Sequence, residues 1–277
     1  MRASANPLSL IKSEPFDEVD YAGFQKQILA ITRIDLSQYK IDQMRRRLTS
    51  AAEKAGCKSF AAYAQVIQKD SSELSNFLDR MTINVTELLR NPDHFDQLAK
   101  NYLPELIARR GGQPLSIWSA GCSYGAEAYS AAMLLHEIDP QTAHKIKGTD
   151  IDLAILAKAD RPSFTEADML NVSPARRTAN FHELFGSFQP KIHLKSKVRF
   201  AQHDLLLDAY PTNEYDLVMC RNVVIYFNDD AKERIYRGIY NSLRPGGILF
   251  VGGTERITDS KGVGFETVKP FFYRKPG

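Results

Sequence analysis

The stretch LSIWSAGCSYGAEAYSAAMLL, residues 115–135, decides how this chain folds. Leu115 to Trp118 is a short apolar run of strand type. Gly121, Ser123 and Gly125 make a small-residue turn, and a helix is expected from about Ala126 through Met133. A strand ending in such a turn presents backbone N–H groups and a helix N-terminus, both suited to an anionic group of a nucleotide-like ligand. Two glycines without the full GxGxxG pattern make the turn by itself a weak sign. The chain on either side strengthens it.

Downstream, apolar runs at 115–119, 145–149, 197–202, 215–220 and 247–252 alternate with helical stretches. That alternation argues for a mostly parallel sheet covered on both faces. A helix is expected from Asp229 to Leu243, with Ile235, Ile239 and Leu243 on one face and Pro245-Gly246-Gly247 as its stop. Segments 265–268 and 270–274 read as a terminal hairpin, and 171–196 fits the alternation poorly and reads as an insertion. Upstream, Phe24/Ile28/Ile31, Ile41/Met44/Leu48, Phe60/Tyr63/Ile67 and Leu74/Phe77/Met81 each mark one helix face, so this part is all-helical. Asn91-Pro92 suits the N-cap and first position of a connecting helix to about Arg109, before a break at Gly111, Gly112 and Pro114. The expected organisation is a loose tail (1–15), a helical domain (16–90), a connecting helix and loop (91–114) and an α/β domain (115–277).

Composition narrows the function classes. A net charge of +3 over 277 residues is too small to argue for nucleic acid. Three cysteines, Cys57, Cys122 and Cys220, with no CxxC or Cys/His cluster, argue against a disulfide framework and against a metal site. No apolar run approaches the ~20 residues a bilayer requires, and the N-terminus has no signal-like apolar core. A cytoplasmic location without membrane insertion is expected.

Candidate residues cluster where strands should end. Asp150 closes the second strand and can accept hydrogen bonds from both hydroxyls of a ribose; Asp152 is the better helix cap, which favours a ligand role for Asp150. Glu127, in the first turn of the helix, suits either the helix dipole or an ammonium or sugar hydroxyl, and spacing leaves both readings open. Asp204 suits an adenine amine or an ordinary turn. Cys220-Arg221-Asn222 interrupts an apolar run, and Tyr226 lies just beyond, as a site residue or a core aromatic. Asn84, Thr86 and Arg90 sit between apolar neighbours, where caps, turns and surface positions are the plainer reading. Lys40, Arg47 and Lys54 are seven apart and form a basic stripe that suits an acidic partner helix, although most charge runs are solvated faces.

Together the motifs QMRRRL (43–48), DRMTINVTE (79–87), IWSAGCS (117–123), TDID (149–152), CRNVVIYF (220–227) and RPGGILFVG (244–252) resemble the chemotaxis receptor methyltransferases of the CheR type. The resemblance runs from about Tyr21 to Lys275. It implies a Rossmann-like class I S-adenosylmethionine methyltransferase domain with a small antiparallel β subdomain (171–200), preceded by an all-α N-terminal domain. It implies methylation of glutamate side chains on the cytoplasmic helices of chemoreceptors by a monomer, with S-adenosylhomocysteine as product. The cofactor contacts it implies are Asn84, Thr86, Arg90, Gly121, Glu127, Asp150, Asp204, Leu205, Arg221 and Asn222, with Arg90 and Tyr226 flanking methyl transfer. Receptor contacts are expected from Lys40, Arg46, Arg47 and Lys54. The chain departs from the family pattern at Tyr124, where a small Thr is usual, at Ala126, where an acid is lost, and at Leu88-Leu89, which replace an aromatic pair. A cofactor-binding regulatory module of the same fold, without catalysis, is the alternative reading.

Overall fold

The computed structural model describes residues 16–82 and 86–277; Asn84 and the expected loose tail lie outside the described residues. The chain divides into two compact units, Met1–Ile83 and Asn84–Gly277.

The first unit is helical: α1 (Glu18–Thr32), α2 (Ile41–Lys54), α3 (Phe60–Lys69) and α4 (Ser71–Thr82). Phe24 packs against Phe60 (5.2 Å between ring centroids), Tyr63 (5.9 Å) and Phe77 (6.3 Å), so the apolar faces of α1, α3 and α4 share one core. Asp20 of α1 is buried, and its carboxylate accepts from the Phe60 (2.6 Å) and Ala61 (3.0 Å) amides. A negative charge there satisfies the unpaired first N–H groups of α3 and its dipole. On α2, Met44 and Leu48 are buried as expected, whereas Ile41 in the first turn is exposed.

The second unit begins its regular structure with α5 (Pro92–Gln97), a π-helical turn (Leu98–Tyr102) and α6 (Leu103–Arg110). The single helix expected here is thus interrupted. Pro104 has no N–H for the helical ladder, and the Leu103 amide bonds to the Leu98 carbonyl in the wider π pattern. The chain continues through β1 (Ser116–Ala120), α7 (Ala126–Ile138), β2 (Lys145–Asp150) and α8 (Leu153–Asp160). Next come α9 (Pro174–Asn180), β3 (Phe181–Leu184), β4 (Ser187–Pro190) and α10 (Ile192–Lys195). The unit closes with β5 (Val198–Gln202), β6 (Tyr215–Cys220), α11 (Asp229–Ser242), β7 (Leu243–Val251), α12 (Ser260–Val263), β8 (Glu266–Lys269) and β9 (Phe272–Arg274).

Seven strands form one sheet in the order β5-β2-β1-β6-β7-β9-β8, with β3 and β4 as a separate antiparallel pair. β5, β2, β1, β6 and β7 run parallel; β9 and β8 are antiparallel additions. β6 is buried along its whole length, as a central strand covered on both faces should be. β5 pairs with β2, so residues 198–202 belong to the large sheet rather than to the β3–β4 insertion. The Pro245-Gly246-Gly247 segment is also placed differently from expectation: α11 ends at Ser242, and the triplet lies within β7, beside a register shift against Tyr215 and Leu217. Proline and glycine are tolerated in a strand at such an irregularity. No helix among the described residues is long and apolar enough to cross a membrane.

Candidate active site

From β1 the chain winds outward to β2 and β5, then returns to β6 and β7 on the other side. The order therefore reverses between β1 and β6, and ligands of such sheets bind in the crevice outside the carboxyl ends of the strands at that point. The sequence places the glycine turn there. Gly121 has φ +73°, and a Cβ on it would stand 2.5 Å from Val223 Cγ2; Gly125 has φ +90° and would meet Phe200 at 2.7 Å. Both glycines are required by backbone and by space. The Gly121 and Cys122 amides bond to the Thr149 carbonyl at 2.8 Å, which lashes the turn to the end of β2.

Asp150 is buried beside that turn. Its Oδ2 accepts from the Ser123 amide (2.9 Å) and its Oδ1 from the Asp152 amide (3.2 Å). Burial pushes its carboxyl above the usual range, against the pull of those two N–H groups. Asp152 caps α8, accepting from the Ala154 and Ile155 amides, as expected of it.

Glu127 and Arg221 pair with each other inside the protein. Glu127 Oε1 accepts from Ser119 Oγ (2.6 Å), and Oε2 lies 3.5 Å from Arg221 Nη1. Burial raises Glu127 and lowers Arg221, and each partner's charge opposes its neighbour's shift. The Arg221 guanidinium also lies over the rings of Phe95 (4.9 Å) and Phe250 (4.6 Å). Its Nη2 donates to the Arg90 carbonyl (2.6 Å) and to Asn91 Oδ1 (3.0 Å). Neither of the two readings open for Glu127 included this internal ion pair with Arg221. Asn91, expected as a side-chain cap of α5, makes no cap hydrogen bond and meets Arg221 instead.

Arg90 is thereby fixed at the same edge by its own main chain. It lies between Leu89 (φ +54°) and Asn91 (φ +62°), both in the left-handed region without being glycine. Each such residue costs on the order of 1 kcal/mol and persists where its surroundings hold it. The Leu89 amide donates to Ser130 Oγ at 2.8 Å, and Arg221 holds the next carbonyl.

Asn222 follows at φ +61°, and Tyr226 ends a short 3-10 turn (Val224–Tyr226) after it. The residue that shapes this loop, Glu255, is absent from the sequence-based candidates. Its carboxylate accepts four amides: Asn222 (2.7 Å), Gly252 (2.7 Å), Val223 (3.0 Å) and Val224 (3.1 Å). An acid just past the apolar run ILFV, in GGTE, was the available signal. Asp204 serves its own turn, with Oδ1 accepting from the Leu206 amide (2.7 Å); neighbouring Leu205 is buried, and its carbonyl accepts from Tyr210 Oη (2.6 Å). The Thr86 carbonyl accepts from Tyr124 Oη.

In the first unit, Lys40, Arg46 and Lys54 are exposed, but Arg47 is half-buried and donates to the Arg80 carbonyl of α4. The basic stripe of α2 therefore lacks a solvated middle member; the side chain expected there holds two helices together.

The doubly wound sheet, the glycine turn and an acid at the end of β2 define the class: an α/β domain built to hold a nucleoside-containing cofactor at a switch point. Residues 84–270 match the family described as "CheR methyltransferase, SAM binding domain", and 19–82 match "CheR methyltransferase, all-alpha domain". The chain is 36% identical over 258 residues to a "Chemotaxis protein methyltransferase" of Listeria monocytogenes, covering 93% of this chain and 98% of the relative. It is 35% identical over 223 residues to "Chemotaxis protein methyltransferase 1" of Pseudomonas aeruginosa, covering 77% and 81%. The chain belongs to the CheR methyltransferase family and is an S-adenosylmethionine-dependent enzyme. Its own residues fit that cofactor. The Asp150 carboxylate at the end of β2 is of the kind that would accept from ribose hydroxyls, and Asn222 Oδ1 is a buried acceptor that meets no donor among the described residues.

Proposed function

We propose that this chain methylates glutamate side chains on the cytoplasmic helices of chemoreceptors and so adjusts receptor signalling, acting in the cytoplasm. The observation that carries this reading is the convergence at one edge of Asp150, Asn222 and the segment 86–91 bearing Arg90, with Arg221 holding the Arg90 carbonyl. When bound, S-adenosylmethionine would supply a sulfonium methyl group: a substrate carboxylate oxygen would bond to the methyl carbon in line with the breaking C–S bond, and S-adenosylhomocysteine would leave with that bond's electron pair. A glutamate with a pKa near ~4.3 is already ionised at neutral pH, so no general base is required of the protein. The chain's task is alignment and exclusion of water. Asp150 and Asn222 orient the cofactor end of the site. Arg90 suits the incoming carboxylate, because a guanidinium presents a fork of donors. Tyr226 orients the same carboxylate through its hydroxyl. The exposed basic residues Lys40, just before α2, and Arg46 and Lys54 within it suit the acidic face of a receptor methylation helix.

Transfer of labelled methyl from S-adenosylmethionine to a receptor cytoplasmic fragment tests the reading. A base-labile labelled product is expected, as a glutamate methyl ester requires. Cofactor binding with no transfer to any fragment would overturn it in favour of a regulatory module of this fold.

A further inference from the structure

The strap from Thr86 to Asn91 has no regular secondary structure, yet each of its residues is held. The Thr86 carbonyl accepts from Tyr124 Oη, and Glu87 Oε1 accepts from Asn171 Nδ2 at 3.2 Å. The Leu88 amide donates to the Asp168 carbonyl (3.1 Å) and the Leu89 amide to Ser130 Oγ (2.8 Å). The Arg90 carbonyl and Asn91 Oδ1 share Arg221 Nη2. The last two residues are thus held by Arg221, Leu89 by Ser130 and Glu87 by Asn171, while Thr86 and Leu88 are held through a separate cluster of Tyr124 and Asp168.

Asp168 acts there with both main chain and side chain. Its carbonyl takes the Leu88 amide, and its Oδ1 accepts from Tyr124 Oη at 2.7 Å. Its Oδ2 accepts from the Thr165 amide (2.7 Å) and hydroxyl (2.8 Å), which fixes the carboxylate plane. Tyr124 leaves the glycine turn, with its ring 6.3 Å from that of Phe164, and delivers one hydroxyl proton to two acceptors, the Asp168 carboxylate and the Thr86 carbonyl. A single proton facing two acceptors makes a three-centre bond. The cofactor turn and the strap are therefore tied directly to each other through this hydroxyl.

We propose that Tyr124 and Asp168 form a clasp that registers the Thr86–Arg90 strap against the cofactor turn, making Tyr124 a positioning residue for methyl transfer. The proposal rests on the reading of Arg90 as the group that meets the substrate carboxylate. Tyr124 touches neither reacting atom; it sets where Arg90 stands relative to a cofactor held at Gly121–Gly125.

The test compares Tyr124→Phe, Asp168→Ala, Asp168→Asn and the double variant Tyr124→Phe/Asp168→Ala in the full chain. Amide hydrogen exchange at Leu88 and Leu89 reports the strap, and kcat and KM for S-adenosylmethionine are read with a receptor fragment. Tyr124→Phe keeps the ring and removes only the hydroxyl. It should speed exchange at both amides about tenfold, as loss of one such hydrogen bond implies. It should lower kcat about tenfold while KM for the cofactor stays within about threefold. Asp168→Asn, which keeps an acceptor for Tyr124, should remain nearer to wild type than Asp168→Ala. The double variant should be no slower than Asp168→Ala, since both changes open one clasp. Wild-type exchange in Tyr124→Phe, wild-type kcat, or additive losses in the double variant would each overturn the proposal. If the wild-type chain methylates no receptor fragment, the glutamate reading fails, and the exchange measurement still judges the clasp.

Discussion

Asp150 and Glu127 were legible in the sequence to different depths. The place of Asp150 at the end of β2, with Asp152 as the helix cap two residues on, could be read from the strand run and the cap preference; its bonds to the Ser123 and Asp152 amides could not. Glu127 could not, because its partner Arg221 is distant in sequence and only the folded sheet brings the two to 3.5 Å. Replacing Glu127 with Ala should leave the buried guanidinium unpaired and cost roughly 3–5 kcal/mol. A urea titration checks this, and a loss under 1 kcal/mol would mean that the ion pair is not what seats Arg221. For Asp150 the raised pKa sets two opposite pH responses. Its carboxylate protonates at higher pH than an ordinary aspartate, so cofactor affinity should fall on acidification before reaching the usual aspartate range. Stability of the cofactor-free chain runs the other way. A folded pKa above the unfolded value stabilises most below the unfolded value, and the contribution is lost as pH rises through the folded one. Calorimetry and unfolding against pH should both flatten in Asp150→Asn; unchanged profiles would show that another group titrates.

At the level of elements, the parallel strands were readable because they are buried on both faces and appear as unbroken apolar runs; β6 is the clearest case. The connections were less readable. Pro245-Gly246-Gly247 carries the usual composition of a helix stop, yet it lies inside β7, where a register shift absorbs it. The π-helical turn before Pro104 follows from one missing N–H, which a periodicity count does not register. Glu255 was missed because its four partners are backbone amides, which every sequence has and none advertises. It makes a distinct prediction for the loop carrying Asn222 and Tyr226. Glu255→Gln places an NH2 group against amides that now donate to a carboxylate oxygen, leaving backbone donors unpaired at about 1–3 kcal/mol each. Both stability and turnover should fall. A variant with wild-type melting and wild-type kcat would show that the loop holds its shape without this carboxylate.

For the molecule as a whole, charge is the property that bears on a partner. The net charge of +3 is small, so any attraction to an acidic receptor helix must come from local placement. The sequence suggested Lys40, Arg47 and Lys54 by spacing alone. Spacing reports which residues share a side of α2 but not what lies opposite, and opposite Arg47 is the Arg80 carbonyl of α4. Lys40, Arg46 and Lys54 keep their exposure and with it their capacity to meet a partner. Single exposed contacts of this kind are worth roughly 0.2–1 kcal/mol each and are screened by salt, so their joint effect belongs to the encounter rate. Arg46→Glu/Lys54→Glu should therefore raise KM for the receptor fragment, weaken or reverse its rise with salt, and leave cofactor binding and melting unchanged. Arg47→Glu should instead lower the melting temperature, because it removes a donor from a half-buried carbonyl within the helical unit. Methylation measured against salt for the double variant, beside thermal unfolding of Arg47→Glu, separates docking from scaffolding. If the double variant and wild type give superimposable salt curves, α2 is a solvated face and the receptor is recognised elsewhere on the molecule.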